Sequence, residues 1–271
     1  MQEAMEVSSS HAVRGVLFDM DGVLYNDERP IAGAVETVEW VQGHGIPHLF
    51  LTNTTSKCCA ALSEKLLRLG IRSAETEILT PAAAAVEWLR TAPDGQIALF
   101  VRQSARREFA GLPCLPDNAE HGAAYVVVGD LGDLWDYRTL NRAFRLLHNN
   151  PKAELIALGM TRYWLASDGL SLDVAPFVVA LEHAAGRDAL VFGKPAARFF
   201  LAAAERLGLD GRDILMVGDD LETDVGGAQA AGLKGALVKT GKFHPSDLEA
   251  TIRPDAVFDS IADLPNWWNR S

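Results

Sequence analysis

The sequence predicts an α/β protein, a doubly wound parallel sheet carrying a smaller inserted α/β unit, and three observations lead there. Short apolar runs rich in Val, Ile, Leu and Phe alternate with helical stretches. Four of those runs give way to compact polar clusters: FDMDG ending at Gly22, LTN ending at Asn53, GKP beginning at Gly193 and GDDLETD ending at Asp224. A step of 140 residues separates Asn53 from Gly193, far more than the roughly dozen residues a single strand-to-strand crossover requires.

Taken in order, Val13 to Phe18 and Ile46 to Leu51 read as buried parallel strands, because their apolar character is nearly continuous and does not alternate. The helix expected between Ser56 and Leu69 follows LTN, so Thr52-Asn53 also has an ordinary reading as its capping turn. Thr80-Pro81 reads as a cap and first-turn proline opening a helix through Arg90. Within the long step, Ile97 to Val101, Tyr125 to Val128 and Leu155 to Leu158 read as strands. Tyr137 to Leu147, with Leu140, Phe144 and Leu147 on one face, and Pro176 to Ala185 read as helices. These pieces make a second α/β unit over residues 81–188, leaving 1–80 and 189–271 as the core. Leu190 to Phe192 and Ile214 to Val217 are expected to return to the first sheet as strands. The GGAQAAG stretch does not spell GxGxxG and reads as close helix packing with a glycine stop.

In open α/β sheets ligands bind beyond the carboxyl ends of the strands, so the four polar clusters converge on one rim. That rim gathers Asp19, Asp21, Asp219, Asp220 and Asp224. Two unit charges about 4 Å apart repel by roughly 4 kcal/mol at an effective dielectric near 20, so a cation must offset them. A hard divalent ion fits, and Mg2+ characteristically takes one or two carboxylates, keeps several waters and binds substrate phosphate. Lys194 adds a second positive charge. GDD followed by ETD also suits a helical first turn, where acidic side chains complement the macrodipole.

The formal charge of −11 argues against a nucleic-acid partner, which wants a basic face. A phosphorylated substrate would then be held by local charge and not by steering from the whole protein. Cys58, Cys59 and Cys114 form no disulfide framework, which suits a reducing compartment. No apolar stretch has the length of a membrane span, and Met1 to Ser10 lacks the basic and apolar regions of a signal peptide. The expectation is a soluble cytoplasmic protein with no membrane partner. The tail pair Trp267-Trp268 reads as packing on the core, with association into a homodimer as the alternative.

The four clusters, in this order and of these types, resemble the phosphatases of the haloacid-dehalogenase superfamily. That resemblance implies a Rossmann-like core in which Asp19 is the nucleophile forming an aspartyl-phosphate and the Asp21 side chain is the general acid and base. It implies Mg2+ held by Asp19, Asp219 and the backbone carbonyl of Asp21. Thr52 and the Asn53 backbone would hold the phosphoryl oxygens, Lys194 would orient the nucleophile, and Asp220 and Asp224 would position Lys194 and metal-bound water. The insertion is similar to that of the members with the larger, C2-type cap, subfamily IIA. More narrowly, LGMTRYW through DGLSLDVAPFVVALEHA, then DVGGAQAAG and VKTGKFHPSD, resembles the phospholysine phosphohistidine inorganic pyrophosphate phosphatase branch. One position departs: animal members of that branch carry serine where this chain has Asp21.

The implied activity is Mg2+-dependent hydrolysis of a small phosphorylated metabolite. Phosphotransfer, as in a mutase, uses the same Asp19 and Asp21, and a non-catalytic phosphate-binding regulator is the alternative outside enzymology. In the cap, Arg162, Tyr163 and Trp164 follow an apolar strand and a glycine-containing turn. Either they form a loop that sets Arg162 against an anionic leaving group, or they form an exposed hairpin with Tyr163 and Trp164 packed into the cap.

Overall fold

Residues buried on both faces of a sheet must be apolar throughout, and the runs of that kind become its central strands. The computed structural model of the protein describes residues 12–166 and 169–270; Met1 to Ser10 lies outside them. Apart from the two-residue strands Tyr25–Asn26 and Arg29–Pro30, which pair as a hairpin, the strands in chain order are β1 (Gly15–Asp19), β2 (His48–Leu51), β3 (Ile78–Leu79), β4 (Gln96–Phe100), β5 (Ala123–Val128) and β6 (Glu154–Ala157). They continue with β7 (Tyr163–Ala166), β8 (Gly169–Leu172), β9 (Leu190–Val191), β10 (Ile214–Gly218), β11 (Lys234–Val238) and β12 (Ala256–Phe258). The longer helices are α1 (Ala34–Gly43), α2 (Cys59–Arg68), α3 (Pro81–Thr91), α4 (Tyr137–His148), α5 (Ala175–Ala185) and α6 (Ala197–Leu207).

The first sheet has the order β12-β11-β10-β1-β2-β3 and every pairing in it is parallel. The chain builds outward from β1 through β2 and β3, then restarts at β10 on the other side of β1. The strand order therefore reverses between β1 and β10, the place where an open α/β sheet leaves a crevice for a ligand. Val16, Leu17 and Phe18 of β1 and Leu215, Met216 and Val217 of β10 are fully buried.

The second sheet, β9-β6-β5-β4, is also parallel. Its two faces divide by the period of two expected of strands. Ile97, Leu99, Tyr125, Val127 and Ile156 join the large apolar cluster that includes β1, β2 and α3. Ala98, Phe100, Val126, Val128 and Leu155 pack instead with α4 and α5 through Leu146, Leu147, Val178 and Leu181.

Several elements lie where the apolar pattern placed them, and others do not. The Thr80 hydroxyl accepts the Ala83 N–H at 3.1 Å, capping α3 ahead of Pro81 as expected. Thr52-Asn53 does not cap α2: the helix starts later, behind Cys58, and the Cys59 N–H is taken by Glu108 Oε1 at 2.6 Å. β9 joins the second sheet through Leu190↔Ile156 and Val191↔Ala157, not the first sheet as expected. A two-residue apolar run satisfies either edge, and only the free edge of β6 lies in its path. Strands β3, β11 and β12 carry no expectation from the sequence. The first is too short to show a period, and in Lys234–Val238 a terminal lysine and Gly235 break the apolar run. Among the described residues, no helix is long and apolar enough to cross a membrane.

Candidate active site

Parallel pairing in register sets the strand ends level. Phe18 pairs with Val217 and Asp19 with Leu51, so Asp19, Thr52 and Asp219 leave the sheet together at the crevice beside β1. Asp19 is the last residue of β1 and its carboxylate is nearly buried. Lys194 arrives by a different route, on the crossing from β9 back toward α6. Its Nζ lies 2.6 Å from Asp19 Oδ1 and 2.6 Å from Asp224 Oδ1.

The Lys194 peptide is clamped by one side chain. Asn53 Nδ2 donates to the Lys194 carbonyl at 2.9 Å, and the Lys194 N–H donates back to Asn53 Oδ1 at 2.8 Å. The side chain of Asn53 thus has a positioning task distinct from the phosphoryl grip expected of its backbone. Thr52 is buried, and its hydroxyl accepts the Thr54 N–H at 3.2 Å, so its own proton points elsewhere.

Asp219 is held by the loop of the VKTGKFHPSD segment, which the sequence offered only as part of a resemblance, with no role for its residues. The Lys242 N–H donates to Asp219 Oδ2 at 2.7 Å, and Thr240 Oγ1 donates to the Gly22 carbonyl at 2.6 Å. Gly22 and Gly241 both have positive φ, 81° and 63°. A Cβ on either would sit 2.0 or 2.1 Å from Asp219 Oδ2, so the approach needs glycine twice over. The only signal in the sequence was the KTGK tetrapeptide just after an apolar run, which reads equally as a turn.

Asp220 accepts the N–H groups of Glu222 and Thr223 at 3.1 and 2.9 Å, so the acidic-turn reading of GDDLETD describes real geometry. It opens a wide helical turn over Leu221–Gly226, whose Asp224 bends back under Lys194. Asp21, by contrast, is exposed at the rim, where its N-terminal neighbours are already buried.

These placements fix the electrostatics. Burial raises the Asp19 carboxyl above the ordinary 3.8, against the pull of Lys194 and with help from Asp219. Burial and then the nearby Asp19 push Asp224 up to about 6 despite Lys194, and burial likewise raises Asp219 against the Lys242 N–H. Burial disfavours the Lys194 ammonium, but Asp19 and Asp224 outweigh it and hold that group charged. Asp220 goes the other way: burial opposes ionisation, yet the Thr223 N–H and Lys242 prevail and keep it low.

One lysine therefore faces three carboxylates, Asp19, Asp219 and Asp224, whose oxygens lie within 4.8 Å of one another. Asp219 Oδ1 is buried and makes no hydrogen bond, an arrangement that is costly unless a cation meets it. All the donors are hard oxygens, and only one oxygen of Asp219 is open. The set fits Mg2+.

A cleft of about 560 Å³ opens over this centre, bounded by Asp19, Asp21, Thr52, Asn53, Lys194 and Lys242. An adjoining recess shares Lys194 and Thr223 with it and is walled by Arg162 and Tyr163. Arg162 stands at the start of the β7–β8 hairpin with its guanidinium 5.8 Å from the Tyr163 ring. Both earlier readings of this segment hold in part: it is a hairpin and it borders the site. Tyr163 and Trp164 are 52% and 49% exposed, however, so they do not pack into the cap. Two strands give too little apolar area to bury them.

Known proteins share this architecture. The profile of haloacid dehalogenase-like hydrolases matches residues 16–112, and a second, described as "HAD-hyrolase-like", matches residues 191–264. The human phospholysine phosphohistidine inorganic pyrophosphate phosphatase is 38% identical over 93% of this chain and 92% of its own length. The bovine haloacid dehalogenase-like hydrolase domain-containing protein 2 is 38% identical over 92% of each chain. The structure of the p-nitrophenyl phosphatase of Archaeoglobus fulgidus superposes with a TM-score of 0.84 at 27% identity, covering 94% of this chain and 99% of that one. With the sheet order, the inserted second sheet and these matches together, the chain belongs to the haloacid dehalogenase-like hydrolases.

Proposed function

We propose that the protein is a Mg2+-dependent phosphatase that cleaves a small phosphorylated metabolite through an aspartyl-phosphate on Asp19. The observation that carries this is the Lys194 ammonium, 2.6 Å from Asp19 at the end of a crevice-lining strand, with the unpartnered oxygen of Asp219 alongside. Two of the similar proteins, the human phospholysine phosphohistidine inorganic pyrophosphate phosphatase and the Archaeoglobus fulgidus p-nitrophenyl phosphatase, are phosphatases. The inserted unit begins at 81, and the pairing of β9 supports moving its end from 188 to Val191.

Asp19, Asp219 and the carbonyl of Asp21 would hold the ion. When bound, it neutralises charge on the transferring phosphoryl group. Lys194 turns Asp19 toward the cleft by holding Oδ1, leaving its other oxygen to attack phosphorus. As the Asp19 O–P bond forms, the bond from phosphorus to the leaving oxygen breaks. Asp21, at the open rim, gives its proton to that oxygen. It then takes a proton from the water that attacks the aspartyl-phosphate, which restores Asp19 and releases phosphate. Thr52 and the backbone at Asn53 would receive the equatorial oxygens. Arg162 borders the recess into which a leaving group would extend.

The test is hydrolysis of an aryl phosphate with and without Mg2+ by the wild type, Asp19→Asn and Asp21→Asn. Asp19→Asn should fold and lose turnover. Asp21→Asn should lose about 10² to 10⁴ in rate with a poor leaving group and much less with an activated aryl one. Turnover by Asp19→Asn at a tenth of the wild-type rate, roughly a 1.4 kcal/mol change in barrier, refutes the nucleophile assignment.

A further inference from the structure

A cleft larger than the catalytic one lies apart from it. About 740 Å³ in volume, it runs between α3 and α6 and shares no lining residue with the catalytic cleft. Its size suits a small organic ligand, for which pockets of about 300 to 1,000 Å³ are usual. Its aromatic wall is the half-buried Trp88 ring of α3, backed by the buried Phe192 ring with the two centroids 5.7 Å apart. The Arg198 guanidinium lies 5.4 Å from the Phe192 ring and 5.9 Å from the Trp88 ring. It has no carboxylate partner among the described residues, in contrast to Arg206 at the other end of the cleft, which is paired with Glu87.

An aromatic wall with an uncompensated guanidinium beside it favours a flat apolar body carrying one negative charge. The body would lie against the Trp88 ring while the charge engages the planar fork of Arg198. Arg198 is exposed, so its side chain is free to turn from the Trp88 ring toward an anion.

The cleft also lies where the two sheets exchange chain. α3 begins directly after Thr80, and α6 begins three residues after Lys194. Phe192 is two residues before Lys194, whose peptide Asn53 clamps. A ligand wedged between α3 and α6 fixes their separation, and that separation bears on the segment delivering Lys194 to Asp19. We propose that this cleft binds a small planar aromatic anion and that its occupancy is coupled to the catalytic centre through Phe192 and Lys194. The coupling rests on the phosphatase reading; the binding does not.

The test uses 8-anilinonaphthalene-1-sulfonate as probe on the full chain. The dye should bind saturably at one site with a rise in fluorescence. Ala202→Trp, which fills the cleft, and Arg198→Ala, which removes the charge, should each weaken it about tenfold or more, with both variants folded. Saturating dye should change kcat in the wild type, and that change should vanish in Ala202→Trp. Dye affinity unaltered in both variants, or competition between dye and orthovanadate for the catalytic cleft, overturns the site. A wild-type dimer that Ala202→Trp dissociates assigns the cleft to a second copy of the chain and also overturns it. Dye binding that the variants weaken, without any change in kcat, overturns the coupling. If the wild type hydrolyses no phosphate ester at all, the phosphatase reading fails while the fluorescence result still decides the binding.

Discussion

Asn53 and Lys194, 141 residues apart, are joined by two hydrogen bonds through one carboxamide, 2.9 Å to the Lys194 carbonyl and 2.8 Å from its N–H. An amide alone has both a donor and an acceptor in this spacing, so no other short side chain reproduces the clamp. Asn53→Ala leaves two partly buried backbone groups unpaired, at about 1–3 kcal/mol each. It also releases the segment that presents Lys194. A misplacement near 1 Å costs about 10² in rate, so kcat for an aryl phosphate should fall on that scale. Asn53→Asp, which keeps the acceptor and loses the donor, should fall between. Wild-type kcat in both variants removes the positioning role.

Gly241 and Gly186 have nearly the same backbone angle, φ 63° and 64°, in different surroundings. A Cβ at Gly186 meets nothing within 4 Å, whereas one at Gly241 falls 2.1 Å from Asp219 Oδ2 and 2.6 Å from the Gly22 Cα. Gly186→Ala should therefore show only the backbone cost of a left-handed residue, about 1 kcal/mol. Gly241→Ala should lose several times that and should raise the Mg2+ concentration for half-maximal effect by about tenfold or more. Thermal denaturation and calorimetric Mg2+ titration of the pair measure both. Equal behaviour of the two variants would mean that the loop at Lys242 does not hold Asp219.

Without a cation, the buried carboxylates give the protein a pH dependence of definite sign. Asp19, Asp219 and Asp224 have folded values raised above 3.8, the last to about 6. A raised value means that the folded state binds the proton more tightly. Their favourable contribution is complete below about 3.8 and is lost as pH climbs through the folded values, a window that for Asp224 lies between about 4 and 6. A divalent ion competes with those protons. The rise in Tm caused by Mg2+ should thus be larger at pH 7.5 than at pH 5 at matched ionic strength. Differential scanning fluorimetry reads it directly, and an equal rise at both values contradicts the metal site.

Arg162 borders the recess beside Lys194 but touches none of the reacting groups. Arg162→Ala should leave turnover of a small aryl phosphate unchanged while lowering kcat/KM for the best phosphorylated metabolite by about tenfold or more, the loss of one charged hydrogen-bonding partner. Arg162→Lys should recover only part of this, because an ammonium lacks the planar fork. A metabolite panel with unaltered preferences would show the residue to be ordinary surface.

The strand runs and polar clusters made much of this legible in advance. Asp19, Thr52 and Asp219 come together because β1, β2 and β10 end level, and each of those strands is an unbroken apolar run. Lys194 was legible as a residue but not as a delivery: GKP followed an apolar run that proved to be an edge strand of the other sheet. The KTGK loop was unreadable because its task lies in backbone atoms, an N–H and two glycines, which side-chain chemistry does not reveal.

By itself the sequence determined which residues would be buried, which would turn, and which carried charge, because burial and helical or strand period are local properties of the chain. That was enough to lay out the α/β alternation, the long insertion and the acidic residues that meet at one rim. Only the tertiary structure decided how those charges are shared: Lys194 between Asp19 and Asp224, Asp219 left with one open oxygen, and Arg198 over two rings with no carboxylate partner among the described residues. Such relationships depend on distances of a few ångströms between groups far apart in the chain. Packing sets those distances, and no periodicity along one segment contains them.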